Sequence, residues 1–310
     1  MSNLDIAIAG EINFDLILYG LPEQMPTERE LLASAFSMTL GSSSAIVAHN
    51  LAALGSRVGF ITKVGGDELG RMAVERLSAS GVDLSLIVRA KGSGSGVTVI
   101  LPHERDRHMF TYLGTISDLR FEELDFEYLT SARHFHMSSL FLQRALSAQV
   151  PELFRRMKSA GLTTSLDTND DPDDRWEGGL EATLPHVDIL LPNEREAMKI
   201  ARADDLETAV ARLSARVKTL VVKLGSRGAM AIQGGQRFTA PAMNVKVIDP
   251  VGAGDSFDAG FLHKFVQGAD LQTCLAFGNR CGAFSTTASG GTEAFRDPTA
   301  MQNFLQRHSR

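Results

Sequence analysis

Short apolar runs of strand length alternate along most of this chain with longer segments of helical periodicity. The first run, Asp5–Gly10, precedes a helix predicted over Ser44–Gly55, and a second run, Arg57–Val64, leads into a helix over Asp67–Ser80. Strands that are apolar throughout are typical of sheets buried on both faces, and their alternation with helices is typical of βαβ units. The pattern therefore predicts an α/β fold built around a largely parallel sheet.

The alternation continues towards the C-terminus. Further strands are predicted over His134–Met137, Thr163–Asp167, Val187–Leu191 and Thr219–Leu224. Further helices are predicted over Val150–Ala160, Glu194–Ala201, Leu206–Val217, Gly254–Gln267 and Leu271–Thr287, with an amphipathic helix at the C-terminus. The sequence has no internal repeat and no low-complexity linker, so we expect residues 1–310 to form a single domain.

Two stretches depart from this rhythm because they lack a helical segment. Residues 12–40 hold two apolar runs around a proline-containing loop, and residues 96–113 hold two runs around a charged turn, His103–Arg107. Antiparallel strands can be joined by short turns, whereas parallel strands need long crossovers. We therefore expect these two insertions to form a small sheet of antiparallel strands that projects from the main body.

The charge balance limits the partners of this chain. It carries 31 Lys and Arg residues against 37 Asp and Glu residues, a formal net charge of −6, with an isoelectric point near 5.8. A mildly acidic chain is a poor match for nucleic acid or for an anionic membrane surface. No apolar run approaches the length of a membrane-spanning helix, and the N-terminus lacks the basic start and cleavage site of a signal peptide. We therefore expect a cytoplasmic protein without nucleic-acid or membrane partners.

The two cysteines, Cys274 and Cys281, fall within one predicted helix. At a rise of about 1.5 Å per residue their Cα atoms lie roughly 10 Å apart, whereas a disulfide requires less than about 7 Å. We expect both to be free thiols that pack on one face of the helix, with no zinc site.

The turn Gly252-Ala253-Gly254, with Asp255 directly after it, precedes an apolar helix. Glycines at such a position let successive backbone N–H groups point at one anion, which the helix dipole also favours. Asp255 has two interpretations: a carboxylate that merely stabilises the helix start, or a general base beside an anion hole, which suits phosphoryl transfer. Known nucleotide fingerprints are absent, since the chain has no Gly-Lys pair for a P-loop and Phe257 occupies the third glycine position of a dinucleotide motif.

The segment Asp249–Phe257, DPVGAGDSF, resembles the C-terminal signature of the PfkB (ribokinase-like) carbohydrate kinase family, D-T-x-G-A-G-D-x-F. Other regions resemble motifs of the same family in order and spacing. They are Gly10–Asp15 (GEINFD), Leu40–Ala45 with Gly65–Gly70 (LGSSSA and GGDELG), Pro192–Ala197 (PNEREA) and Lys223–Gly228 (KLGSRG). Because these regions span essentially the whole chain, the sequence is identified as a member of this family.

The resemblance implies a ribokinase-like three-layer α/β/α sandwich, with a mostly parallel central sheet and a small β-sheet lid, that uses ATP and Mg²⁺. Asp255 would be the catalytic base, and the anion hole would be formed by the amides of Gly252, Ala253 and Gly254. Asn193 and Glu196 would organise the Mg²⁺–phosphate waters, although this motif alone is also typical of a capped, charged helix. The nucleotide would be lined by Lys223, Gly225, Ser226, Gly228 and Asn279. Asp249 and Val251 match a position associated with a monovalent cation such as K⁺ in some members.

Asn13 and Asp15 alternate with apolar residues, so both polar side chains lie on one face of a predicted strand. Taken alone, this pattern is also typical of a solvated strand face. The resemblance implies instead that Asn13 and Asp15 bind sugar hydroxyl groups, since hydrogen bonds to a carboxylate are strong and directional. It also places Gly41 and Ser42 on the substrate side of the lid.

The chain departs from the family pattern at three places. It has Gly41-Ser42 where many members have two glycines at the lid hinge, so this turn is less permissive. Ile46 stands where ribokinases carry a sugar-binding asparagine, which weighs against ribose. Asp167–Trp176 partly resembles the D-x-N-x-R…W stretch of fructokinases and ketodeoxygluconate kinases, but Arg175 is displaced. Further residues expected near the pocket are His108, Tyr112, Ser138, Gln143 and His136, the last being typical of a satisfied core histidine.

Together these features predict an ATP-dependent kinase that phosphorylates a primary hydroxyl of a small sugar or sugar acid. A nucleoside kinase of the same fold is an alternative. A catalytically silent sugar-binding protein is another, although a binder needs neither a base nor a metal face. A dinucleotide-dependent oxidoreductase lacks its fingerprint. An exposed edge of the lid sheet invites strand pairing, so the chain could form a homodimer through the lid.

Overall fold

The strands occupy most of the apolar runs of the sequence. The computed structural model describes residues 4–103 and 106–307, so positions 104 and 105 of the expected charged turn lie outside the described residues. In chain order the strands are β1 (Leu4–Ala9), β2 (Asn13–Tyr19), β3 (Ala35–Gly41), β4 (Val58–Ile61), β5 (Lys63–Val64), β6 (Val88–Arg89), β7 (Gly96–His103), β8 (Asp106–Tyr112), β9 (Ala132–Ser138), β10 (Thr163–Asp167), β11 (Ile189–Leu190), β12 (Thr219–Lys223), β13 (Ala229–Gln233) and β14 (Gln236–Ala240).

Eight of these strands form the central sheet, in the order β14-β13-β12-β11-β10-β9-β1-β4. From β12 to β4 all neighbours run parallel, and Ile8 of β1 lies opposite Phe60 on one side and His136 on the other. Because helices cover both faces of this sheet, strands such as β1, β4 and β13 are largely apolar and buried. The prediction of a mostly parallel central sheet is therefore confirmed.

Both edges of the central sheet differ from the prediction. The run predicted as one strand over Arg57–Val64 forms two strands, because β5 leaves the central sheet and pairs with β6. In β5, Lys63 Nζ donates a hydrogen bond of 2.8 Å to Glu123 Oε1. At the other edge the prediction missed the antiparallel hairpin β13–β14. Its two-residue turn, Gly234-Gly235 with φ values of +57° and +79°, is the signal that identifies such a hairpin.

The predicted helices begin and end close to their expected bounds. In chain order the helices are α1 (Ser43–Ala53), α2 (Glu68–Ser78), α3 (Phe126–Thr130), α4 (Val150–Ser159), α5 (Leu180–Thr183), α6 (Glu194–Ala201), α7 (Leu206–Ser214), α8 (Ala253–Val266), α9 (Leu271–Ser285) and α10 (Pro298–Arg307). The two short helices α3 and α5 were not predicted. Asp67, Asp205 and Asp270 precede α2, α7 and α9 and accept hydrogen bonds from the first-turn backbone, which fixes where these helices start. Within the described residues no helix is long and apolar enough to span a membrane.

Helices on both faces of the sheet complete three layers. On one face Phe257 and Phe261 of α8 pack with Ile8 of β1 in a core that also takes in α1, α2 and α9. On the other face Phe154 of α4 and Leu213 of α7 pack in a core with β9, β10 and β12. The expected α/β/α sandwich is confirmed.

The lid is a separate four-stranded sheet, in the order β3-β2-β7-β8. The pairs β2–β3 and β7–β8 are antiparallel, as predicted. The central pair β2–β7 is parallel, with Asn13 opposite Gly96, because both strands enter the lid from the body; the expectation of antiparallel strands throughout is wrong. The inner face packs Ile17 and Ile100 against Val251, which brings the lid over the start of α8.

Candidate active site

The candidate site lies at the start of α8, beyond the carboxyl ends of the parallel strands. Gly252 takes φ +73°, and a Cβ there would lie 2.4 Å from Gly291 Cα, so this turn requires glycine. Among the described residues the N–H groups of Gly252 and Gly254 have no hydrogen-bond acceptor, whereas Ala253 donates to Pro250 O at 3.3 Å. Two of the three amides predicted for the anion hole are therefore free to bind an anion.

Asp255 lies in the first turn of α8 and is buried. Burial raises the pKa of Asp255, and the charge of Asp167 raises it further. Lys223, Ser43 at the start of α1 and Asn169 after β10 act in the opposite direction. A buried carboxyl with a raised pKa beside free amides suits the acceptance of a proton from a hydroxyl group.

Beneath this turn lies what we call the Lys223 cluster: Lys223, which is partly exposed, and the two fully buried residues Asp167 and Asp258. Lys223 Nζ lies 2.6 Å from Asp167 Oδ2 and 3.1 Å from Asp258 Oδ2. Burial works against the charge of Lys223, but the two carboxyl groups outweigh it and raise the lysine pKa. Burial also works against the charge of Asp167, where the Lys223 ammonium prevails and lowers the pKa; at Asp258 burial prevails and raises it well above its usual value. The ammonium of Lys223 therefore favours the charged form of Asp167, whereas burial favours the protonated form of Asp258.

Asn169 and Ser139 join the ends of β10 and β9 through strained backbone. They take φ values of +52° and +54°, which side chains rarely adopt. Asn169 Oδ1 accepts a hydrogen bond of 2.8 Å from the Ser139 N–H, so the amide group of Asn169 faces the carboxyl groups of Asp167 and Asp255. This hydrogen bond fixes the orientation of the Asn169 amide group, a hydrogen-bond donor beside Asp255.

Asn193 and Glu196 cap the start of α6 reciprocally. Glu196 N donates to Asn193 Oδ1 at 2.9 Å, and Asn193 Nδ2 donates to Glu196 Oε1 at 2.6 Å. Burial, with the charge of Asp167, raises the pKa of Glu196 to about 7. The capped-helix interpretation is confirmed, and the same two side chains lie beside the Lys223 cluster, as a hydrated metal site would require. No group of three or more His, Cys, Asp or Glu side chains arranged to hold a metal directly occurs in the described part of the chain.

The predicted sugar-binding residues meet on the inner face of the lid. Asn13 Nδ2 donates to Thr98 Oγ1 at 2.9 Å, and Ser42 Oγ donates to Asn13 Oδ1 at 3.0 Å. Ser42 takes φ +67°, which a second hinge glycine would tolerate better, as the sequence predicts. A Cβ on Gly41 would lie 2.1 Å from Asp15 Oδ1, so the strands approach closely only because this residue is glycine.

Asp15 is buried, and its carboxyl group forms no hydrogen bond or ion pair with any described residue. Burial, then the charge of Asp255, raises the pKa of Asp15 to about 7; Arg107 of β8 acts in the opposite direction. The charge of Asp255, on the body, therefore acts on the carboxyl group of Asp15, on the lid. A solvated strand face is excluded for Asp15 and Asn13.

The residues predicted to line the nucleotide fall into two places. Gly225 and Ser226 are exposed at the turn after β12. Gly228 takes φ +89° where a Cβ would lie 2.1 Å from Ala240 O, and Asn279 Nδ2 donates to the same oxygen at 2.9 Å. The structure therefore brings these four residues to one side of the β12–β14 edge. Lys223 lies apart from them, within its buried cluster.

Asp249, predicted for a monovalent cation, is buried in the loop before α8. It accepts hydrogen bonds from Val251 N at 2.9 Å, Gly290 N at 3.0 Å and the Tyr19 hydroxyl at 2.9 Å. Its carboxylate therefore ties together the lid, this loop and the loop after α9, and Val251 lies in the same turn.

Three smaller predictions concern residues outside the site. His136 is fully buried between Ser165 Oγ at 2.7 Å and Ser138 Oγ at 2.8 Å, which confirms a satisfied core histidine. Cys274 and Cys281 are free and buried on α9, as expected. Arg175 belongs to a loop in which Asp171 accepts its backbone N–H at 2.8 Å, and its side chain borders a groove with Arg144 and Glu177 rather than the site.

Sequence reasoning missed Asp258 and the role of Asp167 in the Lys223 cluster. Asp258 lies three residues after Asp255 on an otherwise apolar, buried stretch of α8. A second acid at i+3 on such a helix is a signal that could have found it, because a buried charge needs a partner. No such local signal links Asp167 with Lys223, which are 56 residues apart.

The three-layer body, the lid over a helix start and a buried carboxyl beside free amides together define a carbohydrate kinase of ribokinase-like fold. The family model of pfkB family carbohydrate kinases matches residues 3–298. The chain belongs to this family, so it is an enzyme that phosphorylates a sugar with ATP.

Relatives and solved structures agree with this assignment. The chain is 30% identical over 295 residues to an ATP-dependent ribose-1-phosphate kinase of Halopiger xanaduensis, which covers 94% of each chain. It is 32% identical over 257 residues to a fructoselysine 6-kinase of Shigella flexneri, covering 81% of this chain and 90% of the relative. A fructokinase of Xylella fastidiosa has the same fold, with a TM-score of 0.83 at 23% identity over 99% of both chains. An adenosine kinase of Sinorhizobium meliloti also matches, with a TM-score of 0.84 at 22% identity, covering 97% of this chain and 99% of that one.

Proposed function

We propose that this enzyme transfers the γ-phosphoryl group of MgATP to a primary hydroxyl of a small sugar or sugar acid, with Asp255 as the general base. The observation that carries the proposal is the position of Asp255, buried in the first turn of α8 beside the free amides of Gly252 and Gly254, where its charge acts on Asp15 of the lid. A hydroxyl group held by Asp15 lies on the side from which Asp255 can take its proton. Residues 1–310 act as one kinase domain in this proposal.

The reaction balances with the groups at hand. Asp255 takes the hydroxyl proton as the acceptor oxygen forms a bond to the γ-phosphorus, and the bond from that phosphorus to the β–γ bridging oxygen breaks. ADP leaves with the electron pair of the broken bond. The amides of Gly252 and Gly254, aided by Ala253, stabilise the charge on the transferred group, and the start of α8 adds its dipole. The lid excludes water, which would otherwise accept the phosphoryl group.

The residues present fit a hydrated Mg²⁺. Asn193 and Glu196 would hold it through water, since both are oxygen donors, Glu196 is buried, and Asp167 lies close enough to influence its charge. When bound, Mg²⁺ supplies charge neutralisation on the ATP phosphates. Gly225, Ser226, Gly228 and Asn279 line the nucleotide, with Asn279 fixing the edge of β14 against α9.

The lid residues bind the sugar in this proposal. Asp15 and Asn13 accept and donate hydrogen bonds to its hydroxyl groups, and Gly41 and Ser42 form the wall of the pocket beside them. Asp15 is suited to this role because it is buried without a partner among the described residues, so a hydroxyl group bound there satisfies it.

Two further features belong to the proposal. A monovalent cation such as K⁺ would bind beside Asp249 and the carbonyl groups of Val251 and residues 288–291, where the carboxylate supplies the negative charge. The enzyme works in the cytoplasm.

We also propose a homodimer through the lid. The outer lid face, which we define as Leu16, Phe36, Val99, Phe110 and Tyr112, is apolar, and the side chains of Phe36, Phe110 and Tyr112 are 61%, 55% and 60% exposed. A second copy presents the same apolar surface, so the two faces complement each other.

The test of the function is release of ADP from MgATP across a panel of acceptors. The panel holds ribose, fructose, ketodeoxygluconate, tagatose, inositols and nucleosides, with Asp255→Asn as the blank. We expect one sugar or sugar acid to stand far above the others and to lose its turnover in the variant. A nucleoside at the top of the panel would favour nucleoside kinase activity. Binding of a sugar without turnover of any acceptor would favour a silent binder.

A further inference from the structure

The Lys223 ammonium lies directly beneath the backbone turn that faces the phosphates in the proposed function. A Cβ placed on Gly254 would lie 3.6 Å from Lys223 Nζ, and the three nearest atoms outside its own stretch of helix would all belong to the Lys223 side chain. The lysine side chain therefore fills the space under the second free amide of the anion hole.

Two carboxyl groups hold the ammonium in this position. Asp167 Oδ2 lies 2.6 Å from Nζ, and Asp258 Oδ1 and Oδ2 lie at 3.3 and 3.1 Å. Asp167 ends β10, Asp258 lies one turn into α8, and Lys223 ends β12, so one side chain connects two strands of the sheet with the helix. Both carboxyl groups are fully buried, which leaves the lysine little freedom to turn towards solvent.

The lysine is the cation that several acidic groups share. Its charge acts on Asp167, Asp258, Asp255 and Glu196. Without it, the two buried carboxyl groups would lose their cation, and any negative charge that Asp167 keeps would repel an incoming phosphate. A buried charge is screened little by solvent, so this repulsion would act at short range on the triphosphate.

We infer that Lys223 is a positioning residue that sets the charge under the anion hole: its ammonium, held by Asp167 and Asp258, neutralises the acidic floor of the site so that a polyphosphate can bind. This inference rests on the proposed function, and it differs from a direct contact of Lys223 with the nucleotide. Lys223 acts through the local charge. Removing a positive charge from the cluster and removing a negative charge from it should therefore have opposite effects on phosphate binding.

The test compares charge changes of opposite sign. Lys223→Met and Lys223→Gln each remove one positive charge, and the glutamine keeps a donor for Asp167. Asp167→Asn removes one negative charge, and the double variant Lys223→Met/Asp167→Asn restores neutrality. Lys218→Met, at an exposed lysine before the other end of β12, is the matched control. Affinity is measured for AMP-PNP and for adenosine by calorimetry, with EDTA present so that a metal site does not contribute.

The expected results have opposite signs. Lys223→Met and Lys223→Gln weaken AMP-PNP binding at least 30-fold and leave adenosine binding within threefold. Asp167→Asn strengthens AMP-PNP binding, and the double variant returns to within about threefold of wild type, as does Lys218→Met.

Other results would overturn the inference. If both Lys223→Met and Asp167→Asn lost affinity for AMP-PNP, the ion pair between these residues would be needed only for structure. Equal losses of affinity for adenosine and AMP-PNP would also indicate a purely structural role. An unchanged AMP-PNP affinity in Lys223→Gln would show that the charge of Lys223 does not influence phosphate binding. Failure of the proposed function is distinguishable, since the wild-type enzyme would then phosphorylate no acceptor when MgATP is supplied.

Discussion

The phenolic hydroxyl of Tyr19, on lid strand β2, donates a hydrogen bond of 2.9 Å to Asp249 Oδ2, in the loop that leads into α8. The same hydroxyl lies 2.5 Å from Ser289 Oγ. Beside this polar contact, Ile17 and Ile100 of the lid pack against Val251. The lid is therefore tied to the loop that carries the anion hole, so lid closure and the position of that loop are physically connected.

Removing this tie should weaken sugar binding. In Tyr19→Phe the lid loses a hydrogen bond to a carboxylate, a contact of about 1.5–3 kcal/mol when buried and less at this half-exposed position. We expect the KM for the sugar to rise about tenfold while kcat changes little, measured by steady-state ADP release. Tyr112→Phe, on the exposed outer lid face, is the control. An unchanged KM in Tyr19→Phe would show that the contact plays no part in lid closure.

The elements of the body could be predicted because their signals are local. Apolar runs, helix caps and glycines define β10, α6 and α8 almost to the residue. The pairing of strands was predicted less well. The parallel junction β2–β7 joins segments separated by a whole βα unit, and nothing in the residues of either strand records which neighbour it takes.

The candidate site shows the same division. Asp255 and Gly252 could be found from a contiguous motif. The position of Lys223 could not, because its partners Asp167 and Asp258 come from a distant strand and from a helix position outside that motif. The strained pair Ser139–Asn169 leaves no sequence signal either, since neither residue is a glycine.

Asp255→Asn should abolish turnover without preventing nucleotide binding. The amide is nearly isosteric but accepts no proton, and loss of a general base typically reduces the rate by 10²–10⁴-fold. We expect kcat to fall by at least a hundredfold, with AMP-PNP affinity within threefold of wild type by calorimetry. In the wild-type enzyme the rate should fall as the pH decreases through the raised pKa of Asp255, because the protonated carboxyl cannot act as a base. Near-normal turnover in the variant would refute Asp255 as the base.

Asp15 should make stability depend on pH. Burial and the charge of Asp255 raise its pKa from 3.8 to about 7 in the folded chain, so the folded state holds a proton that the unfolded state releases. The free energy of unfolding therefore falls as the pH rises from about 4 to about 7 and is then level. At about 1.4 kcal/mol per pKa unit the loss reaches roughly 4 kcal/mol.

The variant Asp15→Asn should not show this fall in the free energy of unfolding with rising pH. We expect its free energy of unfolding to exceed that of wild type by roughly 2–4 kcal/mol at pH 8 and to match it near pH 4, measured by urea titration at both values. The KM for the sugar should rise at the same time, because the amide is a weaker acceptor than a carboxylate. An equal difference in stability at the two pH values would contradict the raised pKa.

A charge on the outer lid face should separate the homodimer. Phe110→Asp places a carboxylate on the part of this apolar surface that edge strand β8 supplies, where it would lose its hydration on association. We expect wild type to sediment as a dimer and the variant as a monomer in analytical ultracentrifugation. Glu127→Gln, on α3 of the body, is the control. A wild-type monomer at micromolar concentration would exclude the lid dimer.

Two glycines of the catalytic turn should respond oppositely to the same substitution. Gly252 has φ +73°, and an added Cβ would lie 2.4 Å from the backbone of Gly291, so alanine must displace one loop or the other. Gly254 lies within α8 at negative φ, and an added Cβ would meet only Lys223 at an ordinary distance of 3.6 Å. Alanine also favours a helix over glycine by up to about 1 kcal/mol.

We therefore expect Gly252→Ala to lower the free energy of unfolding by more than about 2 kcal/mol and to abolish turnover, because the N–H groups of the anion hole move with the strained backbone. Gly254→Ala should keep or slightly raise the stability. The two variants differ by one methyl group at positions two residues apart, so thermal unfolding of both, side by side, isolates the effect of backbone conformation. Equal stability of the two would contradict the left-handed turn at Gly252 on which the geometry of the anion hole depends.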